Sequence, residues 1–270
     1  MAAEKTRALV LRTVAFGETS SVVSLYTRDF GKVRALAKGA WRPKSGFDGG
    51  LDLLSSCQVL VLRRSSGGLD LLTEASLEHR FRVGRSFPAF VAGMYVAELL
   101  DALTADVDPQ PELFDVAHAT LRELSGWDDD FNRGGPLLVA TELAALRLTG
   151  HAPALGRCAE CRAPLPDAGR TPFGMLDGGT LCGRCRSGKR SVISVSRDAL
   201  AAVRLLAASP GSWRDLSLPP AAGGEVRAIM NTYLSHVLGR PLRAAAVLQQ
   251  AVNQRPGRGR VSSTPRTRTP

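Results

Sequence analysis

The sequence has no stretch of about 18 consecutive apolar residues, the length a membrane-spanning helix needs, so no membrane partner is expected. Its start, MAAEKTRALVLR, lacks the long apolar run and small-residue cleavage site of a leader peptide, so a cytoplasmic location is expected. Catalytic signatures are also missing. There is no Gly-x-Ser-x-Gly elbow and no dinucleotide glycine fingerprint. The four histidines, His79, His118, His151 and His236, stand in no metal or nucleophile motif. Gly183 to Arg190 follows a phosphate-binding loop up to its last position, where Arg190 replaces the Ser or Thr that would hold magnesium, and no strand is expected before it. These absences favour a binding protein over an enzyme.

What is present begins with charge. Lys and Arg number 35 against 25 Asp and Glu, a net +10, and the pI near 10.0 asks for a polyanionic partner. The excess sits at the ends. The first 84 residues hold 13 basic and 8 acidic side chains, while residues 254–270 hold Arg255, Arg258, Arg260, Arg266 and Arg268 and no acid. A hydrophobic fraction of 44% over 270 residues is ample for a buried core.

Patterning divides the chain. RALVLRTVA, SSVVSLYT, KVRALAKG, SCQVLVLRR and LDLLTEASLEHRF are short, rich in leucine and β-branched residues, and separated by turn chemistry, including a Ser-Ser-Gly-Gly hairpin signal between the last two. Five strands in the first 82 residues suit a small closed barrel of the OB-fold type. From 83 to 252 the period changes to that of helices. Pro111 is placed for a first helical turn, Gly150 for a helix end and Ser196 for an N-cap. Residues 151–190 interrupt this pattern as a small inserted module, and 253–270 have the composition of a disordered basic tail. The expected fold is α+β: an OB barrel, then an all-helical domain carrying an inserted four-cysteine module.

Cys158-x2-Cys161 and Cys182-x2-Cys185 are separated by 20 residues. Each pair closes a tight turn with both sulfurs aimed at one centre, and two such turns supply the four-thiolate shell that zinc favours. A full shell leaves no open position, so one structural Zn2+ is expected. Redox pairs of this spacing sit between a strand and a helix, and neither pair is predicted to do so. Cys57 lies alone in a strand and reads as an apolar core residue. The module also carries seven basic side chains, which either contact phosphate or offset the thiolate charge.

Basic residues crowd the barrel segment: Arg7, Arg12, Lys32, Arg34, Lys38, Arg42, Lys44, Arg63 and Arg64, with Trp41 and Phe47 beside several of them. A basic groove with aromatic platforms is how OB surfaces take single strands. Arg7, Arg12, Lys32, Arg34, Lys38, Trp41, Arg42 and Lys44 are therefore the candidate nucleic-acid contacts. Strand alternation allows only some of them to share a face.

Arg7-Ala-Leu-Val-Leu-Arg12, Phe16-Gly-Glu-Thr-Ser20, Leu25-Tyr-Thr27, Phe30-Gly-Lys32 and Ala37-Lys-Gly-Ala40, in that order and followed by Arg42, resemble the start of the bacterial RecO family. The resemblance runs on through the helical segments and the cysteine module, whereas the Arg-rich end is outside the family pattern. It implies a recombination mediator in DNA repair that binds single- and double-stranded DNA and anneals complementary strands. Such a protein works with RecR and, indirectly, helps load RecA onto DNA coated by single-strand-binding protein. It would be cytoplasmic, nucleoid-associated during repair, and not an enzyme. The family also receives the tail of single-strand-binding protein on its helical domain, for which Arg204, Arg227 and Arg243 are candidates by charge alone. A zinc-ribbon and OB adaptor acting on RNA or in transcription is the alternative reading of the same composition.

Overall fold

The computed structural model describes residues 3–47, 49–64, 68–84, 86–127, 134–166, 169–209 and 211–253. The Ser-Ser-Gly-Gly signal lies mostly, and the Arg-rich tail from 254 onward wholly, outside the described residues.

The first five strands are β1 (Ala3–Phe16), β2 (Ser20–Thr27), β3 (Gly31–Ala37), β4 (Ser56–Leu62) and β5 (Asp70–His79). They close into a barrel in the order β1-β2-β3-β5-β4, with β3 and β5 parallel and every other pair antiparallel. This is the five-stranded OB arrangement. The interior follows the period of two: Ala8 and Val10, Val23 and Leu25, Val33, Ala35 and Ala37, Cys57, Val59 and Val61, then Leu72 and Ala75. Phe47 plugs this core from the β3–β4 connection, so it is no stacking platform. Cys57 is buried there as expected, and burial pushes its thiol up to about 12.

A bulge in β1 sets what faces out. Val10 pairs with Leu25, but the next partners are Arg12 and Ser24, so Leu11 is the extra residue. Without it, Arg12 would share the inward parity of Ala8 and Val10. With it, Arg12 turns to solvent and Thr13 turns inward to donate its hydroxyl to the Leu51 carbonyl.

The helical domain holds α1 (Phe87–Leu103), α2 (Pro111–Ser125), α3 (Gly134–Leu148), α5 (Arg197–Ala208), α6 (Pro220–Leu238) and α7 (Arg243–Asn253). Pro111 opens α2, Gly150 takes a positive φ of 81° just past α3, and Ser196 caps α5 by accepting from the Ala199 N–H. Between α3 and α5 lies the module, where sequence patterning missed a three-stranded sheet of order β7-β6-β8. Its strands are β6 (Thr171–Gly174), β7 (Gly179–Thr180) and β8 (Val192–Val195), with the short helix α4 (Gly183–Arg186) between β7 and β8. These strands have two to four residues, too short for periodicity to register. β8 lies beyond residue 190.

Barrel and helices share one core, because Leu9, Leu11, Tyr26 and Leu54 pack into the helical cluster. The α1–α2 connection runs along β3. Gly31, at φ +68°, is pressed so close that a Cβ there would lie 2.3 Å from the Asp108 carbonyl oxygen. Beside it the Lys32 ammonium donates to the carbonyls of Asp101 (2.8 Å) and Thr104 (3.0 Å) and to the Asp101 carboxylate (3.1 Å). Arg28 adds a two-pronged pair with Asp115 of α2, both contacts 3.0 Å, and this holds the Asp115 carboxyl below its ordinary range.

Inside the helical domain Glu142 is fully buried. It accepts from the Tyr95 hydroxyl at 2.6 Å and from both terminal nitrogens of Arg227, at 2.7 and 2.8 Å, joining α3 to α1 and α6. Arg227 is therefore committed to the core and is not a docking residue. Arg204 likewise spends its Nε on the Leu155 carbonyl. Because removing one partner strands a buried charge, Glu142→Ala should lower stability by about 3–5 kcal/mol in urea unfolding. Glu142→Ala with Arg227→Ala should cost less than the sum of the two single changes.

Candidate nucleic-acid interface and metal centre

The end of the barrel turned away from α1 and α2 is where the outward residues of β1, β2 and β3 meet solvent. Arg12 pairs in register with Ser24, and Ser24 with Arg34, so one row across three strands carries two guanidinium groups with a small residue between them. At the usual spacing of about 4.8 Å per strand they stand roughly 10 Å apart at the backbone. The next outward row is Val14, Val22 and Leu36. Beyond it β1 ends at Phe16, which is 57% exposed.

Trp41 lies at this end of the barrel, over the inward-facing row of Ser21 and Ala37, and is 59% exposed, yet it is fixed: its indole N–H donates to the Ser21 hydroxyl (2.9 Å) and its backbone N–H to the Thr19 carbonyl (2.9 Å). Lys38, Arg42 and Lys44 are exposed on the connection that follows β3. Gly39 folds that connection back, its N–H donating to the Ser20 hydroxyl at 3.0 Å. Arg34 keeps a loose 3.6 Å pairing with Asp106, whereas Arg12, Lys38, Arg42 and Lys44 have no carboxylate partner among the described residues.

Two of the eight candidates go elsewhere. Lys32 shares the outward parity of Arg34, but its side chain is only 7% exposed and its protons are spent on the α1–α2 connection, so it cannot reach a phosphate. Arg7 is half-buried against α2. It pairs with Glu78 at 3.1 Å, lies over the Phe114 ring at 5.7 Å and reaches both ring nitrogens of His118 at 3.4 Å. Burial and the Arg7 charge together lower the His118 pKa. In the other direction, the structure adds the exposed Phe16 and Val14 as candidates that sequence reasoning did not name. Their signal was an apolar pair in the solvent-facing rows at the end of β1, which becomes visible only once the bulge fixes parity.

The four cysteines converge. One sulfur from each of Cys158, Cys161, Cys182 and Cys185 lies within 4.8 Å of all the others, and Cys161 and Cys182 are 3.7 Å apart. Four sulfurs held at about 2.3 Å around a tetrahedral ion lie about 3.8 Å apart, so the donor set fits a metal. Without a cation the cluster divides its protons unevenly. Burial raises the Cys158 thiol, but backbone N–H groups of Cys161, Cys182 and Glu160 outweigh it and bring it down to about 6. The Cys185 thiol is pushed up to about 12 by its hydrogen bond with Cys161. A divalent ion resolves this conflict by holding all four as thiolates. Lys189 clamps the module from outside, bridging Glu160 at 2.9 Å and Asp177 at 2.7 Å.

Comparison with known proteins agrees with this architecture. Residues 1–81 match the family model "Recombination protein O N terminal" and residues 85–246 match "Recombination protein O C terminal". The chain belongs to the recombination protein O family. It is 42% identical over 215 residues to a protein of Rhodopirellula baltica named DNA repair protein RecO, covering 79% of this chain and 76% of the relative. Proteins of the same name from Anaeromyxobacter sp. strain K and Salinibacter ruber are 35% and 32% identical; the alignments cover 91% and 93% of this chain and 96% and 95% of those relatives. No helix among the described residues is long and apolar enough to cross a membrane.

Metal analysis of the purified chain should give one ion per chain. Cys158→Ser should lose it and lower the thermal midpoint, because the fully buried Cys158 sulfur holds the first turn to the second.

Proposed function

We propose that this chain acts in DNA repair as a recombination mediator whose barrel holds single-stranded DNA on the outer β1–β2–β3 face. The observation that carries this reading is a group of exposed cations beside exposed aromatic surface on one end of a closed barrel: Arg12, Lys38, Arg42 and Lys44, with Arg34 held only by a loose 3.6 Å pairing to Asp106, beside Phe16 and the fixed Trp41. The cations neutralise phosphate charge and release counterions, and Trp41 offers its face to a base. Family membership and the relatives' name supply the setting. There the protein anneals complementary strands and, with RecR, helps load RecA onto DNA coated by single-strand-binding protein. Annealing needs charge neutralisation and strand positioning and no bond chemistry, so no catalytic residue is assigned. One zinc ion is the metal best suited to four thiolates, and its closed shell gives it a structural role in the module.

The test is an annealing assay on complementary single strands coated with single-strand-binding protein. Acceleration over protein-free controls is expected, and no acceleration would sink the reading. Arg34→Glu, Lys38→Glu and Arg42→Glu together should weaken binding and reduce the salt slope by about 2, at roughly 0.7 for each phosphate of a single strand that is no longer neutralised. Trp41→Ala should cost about 1–3 kcal/mol on single strands and much less on duplex. Equal binding to RNA of the same sequence would favour an adaptor acting on RNA instead.

A further inference from the structure

We propose that the cysteine module carries a second phosphate-binding surface, made of Arg157, Arg162, Arg186 and Arg190, that takes the sugar-phosphate backbone of a second nucleic-acid segment. The proposal rests on the nucleic-acid reading of the barrel and extends it to a part of the molecule that reading does not use.

Covalent order places the cations together. Arg157 precedes Cys158, Arg162 follows Cys161, and Arg184 and Arg186 flank Cys185. The four sulfurs lie within 4.8 Å of one another, so these arginines are carried on backbone positions around one centre. Arg157 is tied to the far side of its own turn by donating to the Arg162 carbonyl at 3.4 Å. Arg190 follows on the same segment, just past the glycine turn at Gly188.

Their charge exceeds what the acids and thiolates of the module neutralise. Both described acids of the segment, Glu160 and Asp177, are spent on Lys189, and Arg170 is spent on Glu225 of α6. Arg184 lies beside the Cys161, Cys185 and Cys182 sulfurs, which raise its pKa, and offsets part of the net negative charge of a four-thiolate zinc site. That leaves Arg157, Arg162, Arg186 and Arg190 exposed, with no carboxylate partner among the described residues. Four long cations left unpaired around a rigid turn hold a repulsive arrangement that a polyanion relieves.

Arginine's planar fork matches phosphate oxygens. The module's Phe173 is buried, so this surface has no aromatic ring for base stacking. Contacts confined to the backbone carry no sequence preference, which suits a strand already defined elsewhere. The module is anchored to the helical domain through α5 and α6: Arg204 donates to the Leu155 carbonyl, the Tyr233 hydroxyl donates to the His151 carbonyl, and Phe173 packs edge-on against Tyr233. The barrel is anchored through α1 and α2. Two basic surfaces on different helices of one core can hold two backbones at once, which is what bringing complementary strands together demands.

The test uses the full chain with Arg162→Gln, Arg186→Gln and Arg190→Gln combined, checked for unchanged metal content and thermal midpoint. Affinity for a homopolymeric single-stranded oligonucleotide is measured across salt concentrations beside the barrel triple variant. The module variant should show a salt slope shallower by about 2, roughly 0.7 per phosphate, and anneal complementary strands several-fold more slowly. A wild-type slope and annealing rate in the module variant, with both impaired in the barrel variant, overturns this inference and leaves the barrel reading standing. Wild-type behaviour of both variants overturns both. An acidic peptide, labelled oligoglutamate, is titrated in parallel. Loss of peptide binding with an unchanged DNA slope assigns the surface to a protein partner and overturns the proposal. Should the triple variant lose metal, Arg190→Gln alone lies beyond the cysteine turn and should still lower the slope by about 0.7; an unchanged slope there overturns the proposal as well.

Discussion

The ammonium of Lys32 sits in a cage of oxygens from the end of α1 and the connection that follows it, and the disposition of the whole molecule depends on that contact. A buried ammonium without such partners would be untenable, so the cage must be complete whenever the barrel is docked. Gly31 permits the approach, and Arg28 with Asp115 repeats the clasp on α2. Docking covers the β1–β2 surface that carries Leu9, Leu11 and Tyr26, and so decides which end of the barrel remains open.

The cations fall into two populations. Lys32, Arg7, Arg28, Arg63, Arg170, Lys189 and Arg227 are committed to carboxylates, and most of these pairs join separate elements. Arg12, Lys38, Arg42 and Lys44 on the barrel, and Arg157, Arg162, Arg186 and Arg190 on the module, have no such commitment among the described residues. A net charge of +10 speaks for an anionic partner, and a cation already committed to a carboxylate is not available to meet it. The same division explains why the core can hold Glu142 without solvent: its partner Arg227 is supplied from α6 at a position that charge counting alone would have placed on the surface.

Much of the architecture was legible because periodicity and spacing are local. Strands of seven or more residues with an alternating core, and helices opened by Pro111 or capped by Ser196, announce themselves within a few residues. The cysteine cluster that could hold a metal was legible for the same reason, since each Cys-x2-Cys turn is a local device and two of them need only meet. The module's sheet was not legible, because strands of two to four residues depend on partners distant in the chain. The candidate aromatic platform was half legible: Trp41 and Phe47 looked alike in sequence, and one lies on the surface while the other fills the barrel.

By itself the sequence determined the order of barrel, helices and cysteine module, the thiolate donor set, and the kind of partner the charge requires. Those properties follow from residue type and short-range spacing. Only the tertiary structure decided which basic side chains are free to serve. Lys32 and Arg34 stand two residues apart on the same face of β3, yet one is sealed under the α1–α2 connection while the other remains in solvent beside Arg12. Arg12 itself faces out because one extra residue, Leu11, reverses the parity of β1. Parity after a bulge and burial under a distant segment are both set by pairing across the chain, where no local pattern reaches.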